Sequence, residues 1–144
     1  MPWVEYENPA CTSDVILERT LNGYPEVLLI KRGEEPYKEM WALPGGHINF
    51  KKETTEETAK RELEEETSLV VNLKHLKLLG VYSDPDRDPR GHYVSHVYYT
   101  TRFEGELEAR DDAKEARWFR LDSSPKLAFD HGKILNDYRE VRGK

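Results

Sequence analysis

Residues 41–69 constrain this chain more than any other stretch. Trp41-Ala42-Leu43-Pro44-Gly45-Gly46-His47 is followed by Glu53, and then by Arg61-Glu62-Leu63-Glu64-Glu65-Glu66-Thr67-Ser68-Leu69. A tight glycine turn therefore stands just ahead of a segment with helical spacing. Glycine has no side chain, so the turn lets a backbone carbonyl or a ligand come close. Thr54 and Glu57 have capping-box spacing, which predicts a helix from Thr54 or Thr55 to about Thr67. Positions three and four apart share a helix face, so Glu62, Glu65 and Glu66 are expected to project together. Ala59 and Leu63 offer the apolar stripe that packs the helix down.

Like charges at that spacing repel by roughly 0.2–0.5 kcal/mol per pair. A bound cation removes this cost. Hard divalent cations prefer carboxylate oxygens, so the arrangement suggests a magnesium site able to hold a pyrophosphate. Arg61 lies four residues before Glu65 and is placed to orient it. An acidic run taken alone reads as a solvated helix face. The glycine turn, the isolated Glu53 and the ordered Arg-Glu-x-x-Glu-Glu in one register argue for a site instead.

These residues resemble the signature of the Nudix hydrolases. Glu53, seven intervening residues, Arg61-Glu62-Leu63, Glu65-Glu66 and Leu69 match the pattern. Six residues separate Gly46 from Glu53, one more than the pattern has, and Ser68 stands where the pattern has glycine. The first change falls in a loop, where an added residue costs little closure entropy. The second falls just past the helix, where the backbone commonly turns left-handed, so serine there costs some stability.

The resemblance spans essentially the whole chain and implies an α/β fold, an α/β/α sandwich around a mixed β-sheet. Residues 13–20 and Val27–Arg32 read as strands joined through the turn signal Asn22-Gly23. Leu73–Tyr82, Tyr93–Phe103 and Ala116–Leu121 read as further strands. Residues 129–141 read as a closing helix, with Ile134, Tyr138 and Val141 on one face. Strands around one helix with a second at the end imply a sheet covered on both sides.

Composition excludes several classes. At 144 residues, with no low-complexity linker, the chain reads as one domain over 1–144. Net charge is −6 with no basic stripe, which argues against a nucleic-acid partner. The single Cys11 and the lack of a signal-peptide pattern fit a cytoplasmic protein. No apolar stretch reaches membrane-spanning length. The charged fraction, 35%, exceeds the usual quarter and is compatible with a heat-adapted source. The resemblance makes a homodimer plausible.

The resemblance also implies roles. Glu62, Glu65 and Glu66, with the Gly46 carbonyl, would hold magnesium, with manganese as the alternative, and Glu53 would support them. The base that activates water often comes from a late loop in this family; here that loop is expected at 104–115, with Glu115 and Asp112 as candidates. Pro85 lies sixteen residues after Leu69. That spacing, the run Arg87-Asp88-Pro89-Arg90-Gly91 and the later Leu127-Ala128-Phe129-Asp130-His131 resemble the ADP-ribose pyrophosphatase subgroup. The implied reaction is hydrolysis of ADP-ribose to AMP and ribose 5-phosphate. Other nucleoside diphosphate sugars or nucleoside triphosphates are the alternative substrates. Arg32, Arg87 and Arg90 are candidate donors to phosphate or ribose, because arginine pairs well with phosphate oxygens. Trp3 and Tyr6 could stack a base, and Trp118 and Phe119 read as core. The five histidines show no zinc-ligand spacing and read as structural or exposed. Some members of the family bind ADP-ribose as a sensor inside transcription regulators. A chain of 144 residues leaves no room for a DNA-binding domain, and its metal carboxylates are complete, so catalysis is the expectation.

Overall fold

The computed structural model describes residues 6–111 and 113–143. It contains seven strands and two helices. The strands are β1 (Ala10–Leu21), β2 (Tyr24–Arg32), β3 (Trp41–Ala42), β4 (Gly45–His47), β5 (Lys77–Tyr82), β6 (Tyr93–Thr100) and β7 (Ala113–Arg120). The helices are α1 (Thr55–Thr67) and α2 (His131–Val141). The strands form one mixed sheet in the order β3-β2-β1-β6-β5, with β4 added to β1 and β7 to β2. β1 runs parallel to β6 and antiparallel to β2 and β4. Its first half pairs with β4 through Thr12–Asp14, and its last residues pair with β2 from Glu18 onward. β1 therefore changes partners along its length, and a cleft opens where β4 and β2 part.

The pleat of β1 sorts its side chains onto two cores. Val15 and Leu17 join Leu28, Ala59, Leu63, Leu69, Val71 and Tyr98 beneath α1. Ile16 joins Val27, Leu29, Leu43, Val97, Ile134, Leu135 and Tyr138 beneath α2. The sheet is thus covered on both faces, as expected. Trp118 and Phe119 are only partly buried, one against each core. On α2, Leu135 takes the buried position that the spacing gave to Val141, which is 40% exposed. No helix among the described residues is long and apolar enough to cross a membrane.

Two segments differ from the sequence expectation. Leu73–His75 forms a 3₁₀ turn whose start is capped by the Asn72 side chain, so strand β5 begins only at Lys77. Glu115 lies within β7, not in a loop, because β2 extends to pair Lys31 with Glu115 and Arg32 with Ala113. Trp3 and Asp112 lie outside the described residues.

Helix α1 forms where its signals place it. Thr54 caps the N-terminus, accepting from the Glu57 N–H, while the Glu57 carboxylate accepts from the Thr54 N–H. Ser68 ends the helix in the left-handed conformation at φ 68°, with its N–H bonded to the Glu64 carbonyl. The loop after β6 satisfies two more end carbonyls: Glu108 N–H donates to Thr67 O, and Arg110 N–H donates to Glu66 O. Serine at positive φ carries a steric cost of about 1 kcal/mol that glycine lacks. Its hydroxyl contacts with Arg110 and Glu108 are exposed and weak. Ser68→Gly is therefore expected to be tolerated and to raise the melting temperature slightly. A clear fall in melting temperature would show that those exposed contacts outweigh the backbone strain.

Candidate active site

The cleft at the fork of β1 has a volume of about 350 Å³. Its lining is contributed by β1, β2, β3, β4, α1, the 83–92 loop and the start of α2. One wall carries the residues of the glycine turn and α1. Glu66 is buried, and its Oε1 accepts from the Gly45 N–H at 2.9 Å. The Glu62 carboxylate lies against Gly46 so closely that a Cβ there would overlap it. A Cβ on Gly45 would likewise overlap the Asp14 carboxylate. The two glycines are required because carboxylates press on both of them.

Arg61 is the hub of this wall. Its Nε and NH2 donate to Glu53, its NH1 donates to Glu62 and Glu65, and its NH2 also reaches the His47 carbonyl. The spacing anticipated the pairing with Glu65; the links to Glu53, Glu62 and β4 join the loop, the helix and the turn through one guanidinium. Glu53 also accepts from the Asn49 N–H and the Thr58 hydroxyl. These bonds, chiefly the one from Arg61, hold its carboxyl down at about 2. The folded value lies below the ordinary 4.5, so the unfolded chain binds more protons between the two. Stability from Glu53 is therefore present above about pH 4.5 and is lost as pH falls toward 2. Glu53→Gln should flatten the acid limb of a melting-temperature profile in that window. An unchanged limb would remove Glu53 from the acid response.

The expected metal set divides. Glu62, Glu66 and Gly46 line the cleft. Glu65 is 43% exposed and faces Arg61 instead. Among the described residues, no group of three or more His, Cys, Asp or Glu converges as a metal cage. Glu62 is drawn to Arg61, and Glu66 is drawn to the Gly45 N–H. The donor chemistry nonetheless fits magnesium: the Glu62 and Glu66 carboxylates flank a turn that carries no side chains of its own.

Three arginines from outside α1 also line the cleft. Arg32 donates from Nε to the Pro36 carbonyl, and its guanidinium stands 4.9 Å over the Phe129 ring. Arg90 lies over Tyr93 and Phe129 and makes a two-point pair with the buried Asp88. Arg87 makes a two-point pair with Asp130, and its side chain is 5% exposed. Its Nε and NH2 tie the 83–92 loop to the start of α2, and the residue also lines the cleft. Replacing it is therefore expected to act on stability first. Pro85 is exposed and is not part of the cleft lining. Glu115 is also outside the lining; it pairs with Arg117 and stands 3.9 Å from Lys31. Tyr6 is exposed.

Asp14, which the sequence does not single out, and His131, which it marks only within the 127–131 run and as a structural or exposed histidine, sit on the cleft floor. Asp14 on β1 is buried and accepts from the Ser95 hydroxyl. His131, at the first turn of α2, accepts the Leu43 N–H at Nδ1 and thereby fastens α2 to the turn. Burial holds His131 below the ordinary histidine range. Aspartate is depleted in strands. An aspartate directly before Val15-Ile16-Leu17 was the available signal for Asp14.

Comparison with known proteins places this geometry in a family. The NUDIX domain model matches residues 13–138. The chain is 51% identical over 133 residues to the ADP-ribose pyrophosphatase of Methanocaldococcus jannaschii, covering 92% of this chain and 75% of that protein. It is similar to the crystal structure of a MutT/nudix family protein from Enterococcus faecalis, with TM-score 0.88 and 34% identity, over 100% of this chain and 66% of that one. It is also similar to the NUDIX domain of Shewanella oneidensis NrtR complexed with ADP ribose, with TM-score 0.85 and 27% identity, over 94% of this chain and 89% of that one. The match takes in all of α1, most of α2 and nearly all of the sheet around the cleft, and the chain belongs to the NUDIX domain family.

Proposed function

We propose that the chain is a magnesium-dependent pyrophosphohydrolase that splits ADP-ribose into AMP and ribose 5-phosphate. The observation that carries this reading is the face of α1 bearing Glu62 and Glu66, closed against the Gly45-Gly46 turn in a cleft that arginines also line. The 51% identity to an ADP-ribose pyrophosphatase supports the choice of substrate. Glu62, Glu66 and the Gly46 carbonyl would hold the metal. When bound, magnesium neutralises pyrophosphate oxygens and lowers the pKa of an attacking water. Arg61 fixes where Glu62 stands, and Glu53 fixes Arg61, so both act by positioning. Arg32 and Arg90 line the same cleft and would supply positive charge for the diphosphate. Positioning two reacting groups in one frame is itself a large part of such a rate gain.

The test is a hydrolysis screen with magnesium across ADP-ribose, other ADP-sugars, NADH, diadenosine polyphosphates and nucleoside triphosphates. ADP-ribose is expected to have the highest kcat/KM. A much higher value for a nucleoside triphosphate or a dinucleoside polyphosphate would overturn the substrate assignment.

A further inference from the structure

Asp14 and His131 form a donor–acceptor pair on the cleft floor. The Leu43 N–H donates to His131 Nδ1, so the proton of the neutral ring resides on Nε2. His131 Nε2 stands 3.8 Å from Asp14 Oδ2, beyond hydrogen-bond range, and Oδ2 already accepts from Ser95. No buried side-chain nitrogen or oxygen among the described residues lacks a hydrogen-bond partner. Asp14 Oδ1 and His131 Nε2 make no hydrogen bond among those residues, so neither is sealed in the interior, and both residues line the cleft. The floor thus presents one carboxylate oxygen that can only accept and one N–H that can only donate. A phosphate oxygen cannot donate, and it would be repelled by Asp14. An ammonium group cannot accept from the histidine. A hydroxyl does both at once.

We propose that Asp14 and His131 form the subsite that reads a ribose hydroxyl, which donates to Asp14 Oδ1 and accepts from His131 Nε2–H. The two side chains would then select a sugar-bearing diphosphate over a bare phosphate chain. The inference rests on the pyrophosphatase reading for its ligand, and it deepens that reading by naming what sets specificity. Both ends of ADP-ribose carry ribose, and the two products separate them.

The test is calorimetric binding of ribose 5-phosphate, AMP and 2′,3′-dideoxy-AMP to wild type, Asp14→Asn and His131→Asn. Binding of the products needs no turnover, so it is independent of whether the protein hydrolyses ADP-ribose; the hydrolysis screen tests that separately. A hydrogen bond to the Asp14 carboxylate corresponds to about a 10- to 100-fold change in affinity, and one from the neutral His131 ring to about a 3- to 10-fold change. Asp14→Asn and His131→Asn are each expected to weaken the same one product by up to that factor and to leave the other within about twofold. If AMP is the one weakened, dideoxy-AMP should bind wild type and variants alike. The amide oxygen of His131→Asn is able to accept the Leu43 N–H, so this variant carries the test should Asp14→Asn fail to fold. The proposal is overturned if both variants bind both products like wild type, if neither product binds wild type, or if the loss persists with dideoxy-AMP.

Discussion

Glu66→Gln is expected to lower turnover of ADP-ribose by roughly a hundredfold or more while the fold persists. The side-chain shape is conserved, and the amide oxygen of glutamine can still accept the Gly45 N–H that Glu66 accepts in the native protein. The glycine turn should therefore hold its place. What is lost is the negative charge at the buried end of the metal wall. Circular dichroism and melting temperature should match wild type, and the residual activity should need more magnesium. Turnover within twofold of wild type would remove Glu66 from the metal set.

Arg87→Met is expected to be the most destabilising change in the 83–92 loop. It removes one partner of a two-point pair whose arginine is almost wholly enclosed, and it leaves Asp130 without its counter-charge at the start of α2. Breaking a buried pair from one side costs about 3 kcal/mol or more. For a chain of this size that is a fall of roughly 10 °C in melting temperature. Arg87→Met combined with Asp130→Leu should recover part of the loss, because the stranded charge is gone. A single variant that melts like wild type would show that the pair is not a strut. Arg90 is itself more exposed, but its partner Asp88 is buried, so its loss should raise KM and lower the melting temperature together.

Local signals explain why α1 and the β1–β2 hairpin were legible in the sequence. The capping box, the Ala59–Leu63 stripe and the left-handed Ser68 all lie within one helix and its ends. Asn22 and Gly23 both adopt the positive φ that their turn requires. Glu62, Glu66 and Gly46 followed from the same stretch. What the sequence concealed depends on pairings between distant segments. β7 begins early because β2 offers it an edge, which moves Glu115 from a loop onto a strand. The parallel pairing of β1 with β6 brings Ser95 to Asp14, and the Leu43 bond brings His131 to the turn. Alternation alone did not distinguish the 3₁₀ turn at Leu73–His75 from the strand that follows it. Arg87 lines the cleft as its loop suggested, but its pairing with Asp130 was hidden because that partner lies far along the chain.

The most direct measurement is product analysis by chromatography after incubation of the purified protein with ADP-ribose, with and without magnesium and with a chelator. Equal amounts of AMP and ribose 5-phosphate should appear with magnesium, and neither should appear with the chelator. Tight binding of ADP-ribose with no AMP formed under magnesium or manganese would contradict the hydrolase reading and make the cleft a sensor of its ligand.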